Sequence, residues 1–292
     1  MISKERKIFY LKEKTAFAVF FIATCFSIIA LITICYFMFS NFIPTISKIG
    51  FTEFIFGTKW KPMDIPPSYG ILPMILGSIY VTIGAAVIGV PIGILTAIFM
   101  AKFCPPKMYR FLKPALNLMA GIPSIIYGFF ALVVIVPIVK YFFGGSGMTM
   151  FTAMVLLGIM ILPTIITLSE TSIRAVPRSY YEGACALGAS HERSVMTVVV
   201  PAAKSGIFSS IILGIGRAIG ETMAVILIAG NQSRMPRGLF KGVRTMTMNI
   251  VTEMSYAADL HRDALIATGA VLFIFILIIN ISFLIFKRRS AH

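Results

Sequence analysis

Two charged side chains, Arg217 and Glu221, interrupt an apolar stretch that reads LGIGRAIGETMAVILIAG. Arginine offers a planar fork of donors that suits phosphate or carboxylate groups, whereas a glutamate carboxylate offers only acceptors. Because residues four positions apart share one face of a helix, the spacing predicts that both side chains lie on the same helix face. The chemistry indicated is the binding or neutralisation of an anion inside an apolar segment.

The residues alone leave two interpretations of this pair open. One is a buried ion pair that fixes helix packing, although such pairs are often no more stabilising than apolar residues of the same volume. The other is a wet path in which Arg217 binds a passing anion and Glu221 balances the charge when the path is empty.

The sequence around the pair is that of an integral membrane protein. Of the 292 residues, 58% are hydrophobic and 13% are charged, whereas soluble domains have roughly 25% charged residues. A membrane helix needs about 20 mostly apolar residues, and six stretches qualify, namely 17–39, 71–100, 115–139, 150–169, 206–230 and 264–286. We therefore expect a cytoplasmic N-terminus over 1–16 and a single all-α, polytopic transmembrane domain over 17–292. Arg217 would then lie about 16 Å beyond Gly206, near the middle of a hydrocarbon core about 30 Å thick.

The distribution of positive charge predicts the orientation of these helices. Most of the 26 Lys and Arg residues lie at the helix ends on the same side as the N-terminus. In short loops this bias marks the cytoplasmic side, so both termini are expected to be cytoplasmic. The net charge of +15 mainly reflects this topology, and nucleic-acid binding is not indicated.

No catalytic, metal or cofactor site is predicted. His191, His261 and His292 fall in different segments, and no nucleophile is placed beside a base. The chain also lacks the Gly-x-x-x-x-Gly-Lys-Ser/Thr sequence that cradles nucleotide phosphates. If transport were driven by ATP, the ATPase would have to be another polypeptide.

Three connecting segments are long enough to hold structure of their own. Residues 40–70 and 231–263 are expected outside, the first as a cap at the membrane surface and the second with an amphipathic helix near 245–258. Residues 170–205 are expected inside and are too polar to span. There the sequence predicts one helix, a turn at Gly188 and a second helix that ends before Pro201.

Glycine pairs spaced four residues apart allow close helix packing in lipid. They occur as Gly89 with Gly93 and as Gly216 with Gly220. Packing within this chain and packing between subunits both remain open for them. Four prolines interrupt three of the predicted spans and indicate kinks, at Pro91, Pro123, Pro137 and Pro163.

The inner segment resembles the EAA loop of ABC importer permeases, whose pattern is E-A-A, three residues, G, nine residues and I-x-L-P. The matching positions are Glu182, Gly183, Ala184, Gly188, Val198, Val200 and Pro201. Gly183 replaces the usual Ala, and two valines replace Ile and Leu. The resemblance implies that this loop docks into a cleft of a cytoplasmic ATPase and couples it to the membrane helices.

Three further stretches, FIFGTKWKP, GIPSIIYGFFAL and GIGRAIGETMAV, resemble the PstC-type permeases of phosphate ABC importers. The GTKWKP stretch favours this type over the related PstA type. The resemblance implies a type I ABC importer permease fold with six transmembrane helices in a bacterial cytoplasmic membrane. The partners implied are a PstA-type permease, two ATPase subunits, an extracytoplasmic phosphate-binding protein and membrane lipid. If the anion is phosphate, the fork of Arg217 would bind it, and we infer that Glu221 would accept a hydrogen bond from its P–OH group.

Two alternative functions remain open. The same architecture could carry another oxyanion, such as sulfate or molybdate. A secondary phosphate transporter would work without ATP, but it would normally have internal repeats with broken helices, and the sequence predicts unbroken ones. A membrane enzyme is the least favoured class.

Overall fold

The computed structural model describes residues 2–290, except for the side chains of residues 2–8, 11, 283, 284 and 286–290. Nearly all of this chain is helical. The elements are α1 (Ile2–Ile49), α2 (Phe51–Phe56), β1 (Trp60–Lys61), β2 (Ser68–Tyr69), α3 (Leu72–Ile98), α4 (Pro106–Gly121), α5 (Ser124–Phe130), α6 (Val136–Phe143), α7 (Met150–Arg174), α8 (Arg178–Ala186), α9 (His191–Ser194), α10 (Val200–Ala202), α11 (Lys204–Gly220), α12 (Met223–Ile228), α13 (Met246–Glu253) and α14 (Asp259–Ser290). Three π-helical turns continue α3, join α5 to α6 and join α9 to α10, at Phe99–Phe103, Ala131–Ile135 and Val195–Val199.

Five helical segments of the described chain are long and apolar enough to cross a membrane. They are Lys12–Ile49, Leu72–Phe103, Ser124–Phe143, Met150–Arg174 and Asp259–Ser282. A sixth span is possible if His191–Ala202 and Lys204–Gly220, which meet at an angle of 68°, are taken together. The all-α class with up to six spans is therefore confirmed, apart from one two-stranded hairpin in the described chain.

Two of the expected spans are broken, so the prediction of unbroken helices was wrong. The stretch 115–139 is interrupted after Gly121, where Pro123 has extended backbone angles of φ −58° and ψ 141°. Proline disfavours the helical conformation at the residue before it, and Ile122 before Pro123 is accordingly extended, with a ψ of 127°. The stretch 206–230 is interrupted at Glu221, with φ −68° and ψ 129°, directly after the helix-weakening Gly220. By contrast, Pro91 and Pro163 lie inside helices that continue past them.

The centre of the molecule is the contact between α3 and α7. A Cβ atom on Gly89 would lie 2.7 Å from the backbone oxygen of Gly158, and one on Gly93 would lie 2.8 Å from the side chain of Ile165. This glycine pair therefore serves packing within the chain. At Gly216 and Gly220 a Cβ atom would meet no described atom within 4 Å, so the second pair has no such role.

The outer cap is smaller than the sequence suggested, because α1 continues to Ile49 and the loop expected from Ser40 begins only at Gly50. Phe54 of α2 and Trp60 of the hairpin are buried in one cluster with Met246 of α13 and residues of α14. Helix α13 confirms a helix in the outer segment 231–263, although it ends at Glu253. The cap thus joins two outer segments that are distant in sequence.

Candidate functional site

Arg217 and Glu221 do not share a helix, because α11 ends at Gly220 between them. The Glu221 Oε1 atom accepts a hydrogen bond of 3.2 Å from the backbone N–H of Ala224, and it therefore caps the start of α12. The backbone oxygen of Glu221 accepts a bond of 3.1 Å from the Thr247 hydroxyl. None of the ion pairs in the described part of the chain joins Arg217 to Glu221. The prediction that both lie on one helix face was wrong, and the break is the reason.

Arg217 lies in the last turn of α11, half-buried, and its guanidinium has no hydrogen-bond or ion-pair partner among the described residues. Its guanidinium is close enough to Tyr127 of α5 for an electrostatic interaction with the Tyr127 side chain. The Tyr127 hydroxyl donates a bond of 2.8 Å to the Met119 backbone oxygen, and it thereby bridges the break between α4 and α5. The two broken spans also touch, since a Cβ atom on Gly128 would lie 2.8 Å from Cα of Ala224. Arg217 is thus near both helix breaks.

Space is open beside these breaks. The glycines next to them, Gly121, Gly216 and Gly220, have no described atom within 4 Å of a Cβ position. A half-buried, unpaired guanidinium next to such space can bind an anion through several donors. The second oxygen of Glu221, Oε2, also lacks a partner among the described residues and can accept a hydrogen bond.

The inner segment has the predicted turn at Gly188, which is confirmed by a φ of 84°. The second helix, however, does not end before Pro201. It continues through α10 to Ala202 and bends by 68° before α11. A proline ring clashes with the carbonyl four residues earlier, which here belongs to Thr197. That residue lies in the π turn Val195–Val199, and we infer that the wider backbone there accommodates the ring.

Of the residues that match the EAA pattern, Glu182, Gly183, Gly188 and Pro201 are exposed, whereas Ala184, Val198 and Val200 are half-buried. Glu182 pairs only with Arg178, at 3.1 Å, and both side chains are mostly exposed. Positions 183 and 188 have no described atom within 4 Å of a Cβ position. Leu187 between them is 91% exposed and lines the same groove as Tyr180, which is 53% exposed, and adjacent exposed apolar side chains mark interaction surfaces. This face of α8 is therefore without a partner in the described chain.

A buried carboxylate at the inner ends of the spans was missed by the sequence analysis, which placed Glu170 at the start of a polar loop. Helix α7 continues to Arg174, and the Glu170 side chain is only 1% exposed. It accepts hydrogen bonds from Lys113 at 2.7 Å, Tyr109 at 2.7 Å and Arg174 at 2.8 Å. The bond to Glu170, followed by burial, raises the pKa of the Tyr109 hydroxyl. Glu170 and Arg174 carry opposite charges four residues apart, and this spacing could have predicted their ion pair from the sequence.

A second buried carboxylate, Glu253, holds the outer cap together. Its Oε2 atom accepts a bond of 2.8 Å from Trp60 Nε1 and lies 2.9 Å from His261 Nε2. Its Oε1 atom pairs with Arg244, which also donates to Asn249. Trp60 is nearly two hundred positions away from the other residues, which all lie within 244–261, and no local pattern connects it to them.

This arrangement defines a class of protein: a helical membrane subunit with broken spans and an exposed inner loop suited to a partner. Residues 89–292 match the family of binding-protein-dependent transport system inner membrane components, and the chain belongs to that family. It is 37% identical over 242 residues to the probable ABC transporter permease protein YqgH of Bacillus subtilis (strain 168), covering 81% of this chain and 78% of that protein.

A second relative is the phosphate transport system permease protein PstC of Pasteurella multocida (strain Pm70). It is 33% identical over 263 residues, which cover 83% of this chain and 81% of the relative. In fold, the chain is similar to the inward-facing MetNI methionine ABC transporter, with a TM-score of 0.61 and 18% identity over 75% of this chain and 95% of that one. The expected type I ABC importer permease fold is confirmed.

Proposed function

We propose that this chain is the membrane permease subunit of an ATP-driven phosphate importer. The observation that carries the proposal is the 33% identity to a phosphate transport permease over more than four fifths of both chains. Because this identity extends over most of both chains, it does not depend on any single loop or motif. Membership of the ABC permease family supports the same conclusion, since such a subunit supplies the path and leaves ATP hydrolysis to a partner.

Arg217 is the proposed phosphate ligand of the path. Its unpaired, half-buried guanidinium and the open space at the neighbouring glycines support this role. A guanidinium can hold two phosphate oxygens at once, which lysine does less well. Glu221 has a double role in this proposal: Oε1 holds the start of α12, and Oε2 accepts the P–OH hydrogen of protonated phosphate.

The inner segment 170–205 is the proposed ATPase-coupling segment. Its docking residues are Glu182, Gly183, Ala184, Gly188 and Pro201. The exposure of α8 and of Leu187 supports an interface here. The remaining partners in the proposal are a PstA-type permease, two ATPase subunits and an extracytoplasmic phosphate-binding protein, in a bacterial cytoplasmic membrane with both termini inside.

Anion uptake by the reconstituted assembly tests the function. The chain is placed in vesicles with its partner permease, ATPase and binding protein, and the uptake of labelled phosphate, sulfate and molybdate is measured with and without ATP. We expect uptake of phosphate alone, and only with ATP. Uptake of sulfate or molybdate instead would establish the alternative oxyanion. Phosphate uptake that needs an ion gradient and no ATP would establish a secondary transporter.

A further inference from the structure

A cavity of about 330 Å³ lies between the inner ends of α3 and α7 and the coupling segment. Three cationic side chains line it: Lys102 from the π turn after α3, Arg174 from the end of α7 and Arg178 from the start of α8. Tyr181 and His191 add polar groups. Arg217 is not part of this lining, so the cavity is separate from the proposed path.

The positive charge in this cavity is only partly balanced, since Arg174 pairs with Glu170 at 2.8 Å and Arg178 pairs with the exposed Glu182 at 3.1 Å. The described side chains that line it include no carboxylate. Lys102 has no hydrogen-bond or ion-pair partner in the described chain, and both Arg174 and Arg178 are close enough to repel its ammonium group. Like charges that converge in a partly buried space raise the free energy of the empty site, and an anion bound there lowers it.

Two of the lining groups are held in place by contacts with neighbouring residues. Arg174 donates from Nε to Glu170 at 2.8 Å and from Nη2 to the Met100 backbone oxygen at 2.8 Å, which leaves Nη1 without a partner among the described residues. His191 is held by the Tyr181 hydroxyl, 2.9 Å from Nδ1, and by the Phe103 ring, whose centroid is 4.9 Å away. A site whose groups are already positioned loses little entropy when a ligand binds.

We propose that this cavity binds a phosphate-type oxyanion from the cytoplasmic side. The same chemistry is offered by inorganic phosphate and by the phosphomonoester headgroup of an anionic lipid such as phosphatidic acid. Guanidinium and ammonium groups bind such oxygens through charge-assisted hydrogen bonds. Because the lining comes from two spans and from α8 and α9, the bound anion ties the coupling segment to those spans. The site does not depend on which anion the permease transports.

Lysine labelling of the purified full chain tests the site. An amine-reactive reagent is applied in lipid-free detergent, and mass spectrometry measures modification of Lys102 and of the exposed Lys107 on α4. We expect inorganic phosphate to slow modification of Lys102 several-fold and to leave Lys107 unchanged. If lipid is the source, protection of Lys102 instead requires vesicles of phosphatidylcholine that contain phosphatidic acid. Either pattern supports the site and identifies its ligand.

Two arginine variants make the test specific. Arg178→Gln removes a lining charge from an exposed position, so the chain should fold and the protection of Lys102 should fall several-fold. Arg193→Gln removes an exposed arginine of the same segment that lies outside the lining, and it should leave protection unchanged. Three results would overturn the proposal: no protection by either anion source, equal effects of both variants, or a Lys102 that fails to react without any anion.

Discussion

At the scale of single residues, Arg217 is the clearest candidate for function, because the described structure gives its charge no partner. Removing it therefore leaves no orphaned carboxylate behind. We predict that Arg217→Met assembles as well as wild type but loses phosphate uptake, since the anion then meets an apolar barrier. Arg217→Lys keeps the charge but loses the fork, and uptake should fall partially. Co-purification with the partner subunits measures assembly, and wild-type uptake by Arg217→Met would remove Arg217 from the path.

Glu221 calls for a different substitution, because it caps α12 through Oε1. Loss of a helix cap costs about 0.5–2 kcal/mol, so Glu221→Leu would mix a structural effect with any effect on transport. Glu221→Gln retains the acceptor oxygen and removes only the charge. It is therefore the variant to compare with Arg217→Met in the uptake assay.

Glu253 is a residue whose loss should mainly affect stability. Glu253→Gln leaves Arg244 facing a neutral group in a buried site, and breaking a buried ion pair costs about 3–5 kcal/mol. The control is Asp64→Asn, which removes the carboxylate of an exposed pair with Lys61 in the same cap and should cost about 0–1 kcal/mol. Thermal unfolding of the full chain in detergent should show a clearly lower Tm for Glu253→Gln alone. Equal Tm changes in both variants would contradict the role of Glu253 as the centre of the cap.

At the scale of elements, the two helix breaks and the turn at Gly188 determine where the chain changes direction. The α8 helix and the helix after it are separated by a glycine with a φ of 84°, a region that side chains with a Cβ atom avoid. The same segment contains a matched control, because Gly183 lies within α8, and neither glycine has a described atom near its Cβ position.

The paired alanine variants test the turn. Gly188→Ala forces a residue with a Cβ atom into the left-handed region, at about 1–2 kcal/mol, and should reduce ATP hydrolysis stimulated by the binding protein several-fold. Gly183→Ala favours the helix by about 1 kcal/mol and restores the alanine that is usual at this position of the EAA pattern, so docking should be retained and hydrolysis should not fall. Both are measured in the reconstituted assembly. Full stimulation in Gly188→Ala would argue against a coupling role for this turn.

At the scale of the whole molecule, the two glycine pairs distinguish the interior of the chain from its open face. Gly89→Ala would place a methyl group 2.7 Å from a backbone oxygen of α7, and overpacking of this kind costs about 1–3 kcal/mol. Gly216→Ala meets open space and should not lower the Tm of the isolated chain. We predict that it instead alters phosphate uptake or association with the partner permease, because we infer that the open face beside Arg217 serves one of them. A lower Tm in Gly216→Ala, with normal Tm in Gly89→Ala, would reverse this assignment.

Much of the fold followed from sequence because it depends on local properties. Membrane helices arise wherever about 20 apolar residues follow one another, so all six expected spans fall largely in helical stretches of the described chain. The Gly188 turn was predictable for the same reason, since glycine tolerates a positive φ that other residues avoid. The break before Pro123 also has a local cause, namely the proline itself. The sequence could not predict this break, however, because the helices that contain Pro91 and Pro163 continue past their prolines.

The tertiary structure decided what the charged residues do. Arg217 and Glu221 looked like one ion pair, and the break at Glu221 separated them because Ala224 and Thr247 bind the glutamate instead. Glu253 finds its partners across nearly two hundred positions of sequence, at Trp60. Such contacts depend on which helices lie side by side, and a periodic pattern carries no information about that. The sequence by itself therefore determined the membrane class, the positions of the apolar helices and the turn at Gly188, whereas long-range packing determined the buried charges and the open face beside Arg217.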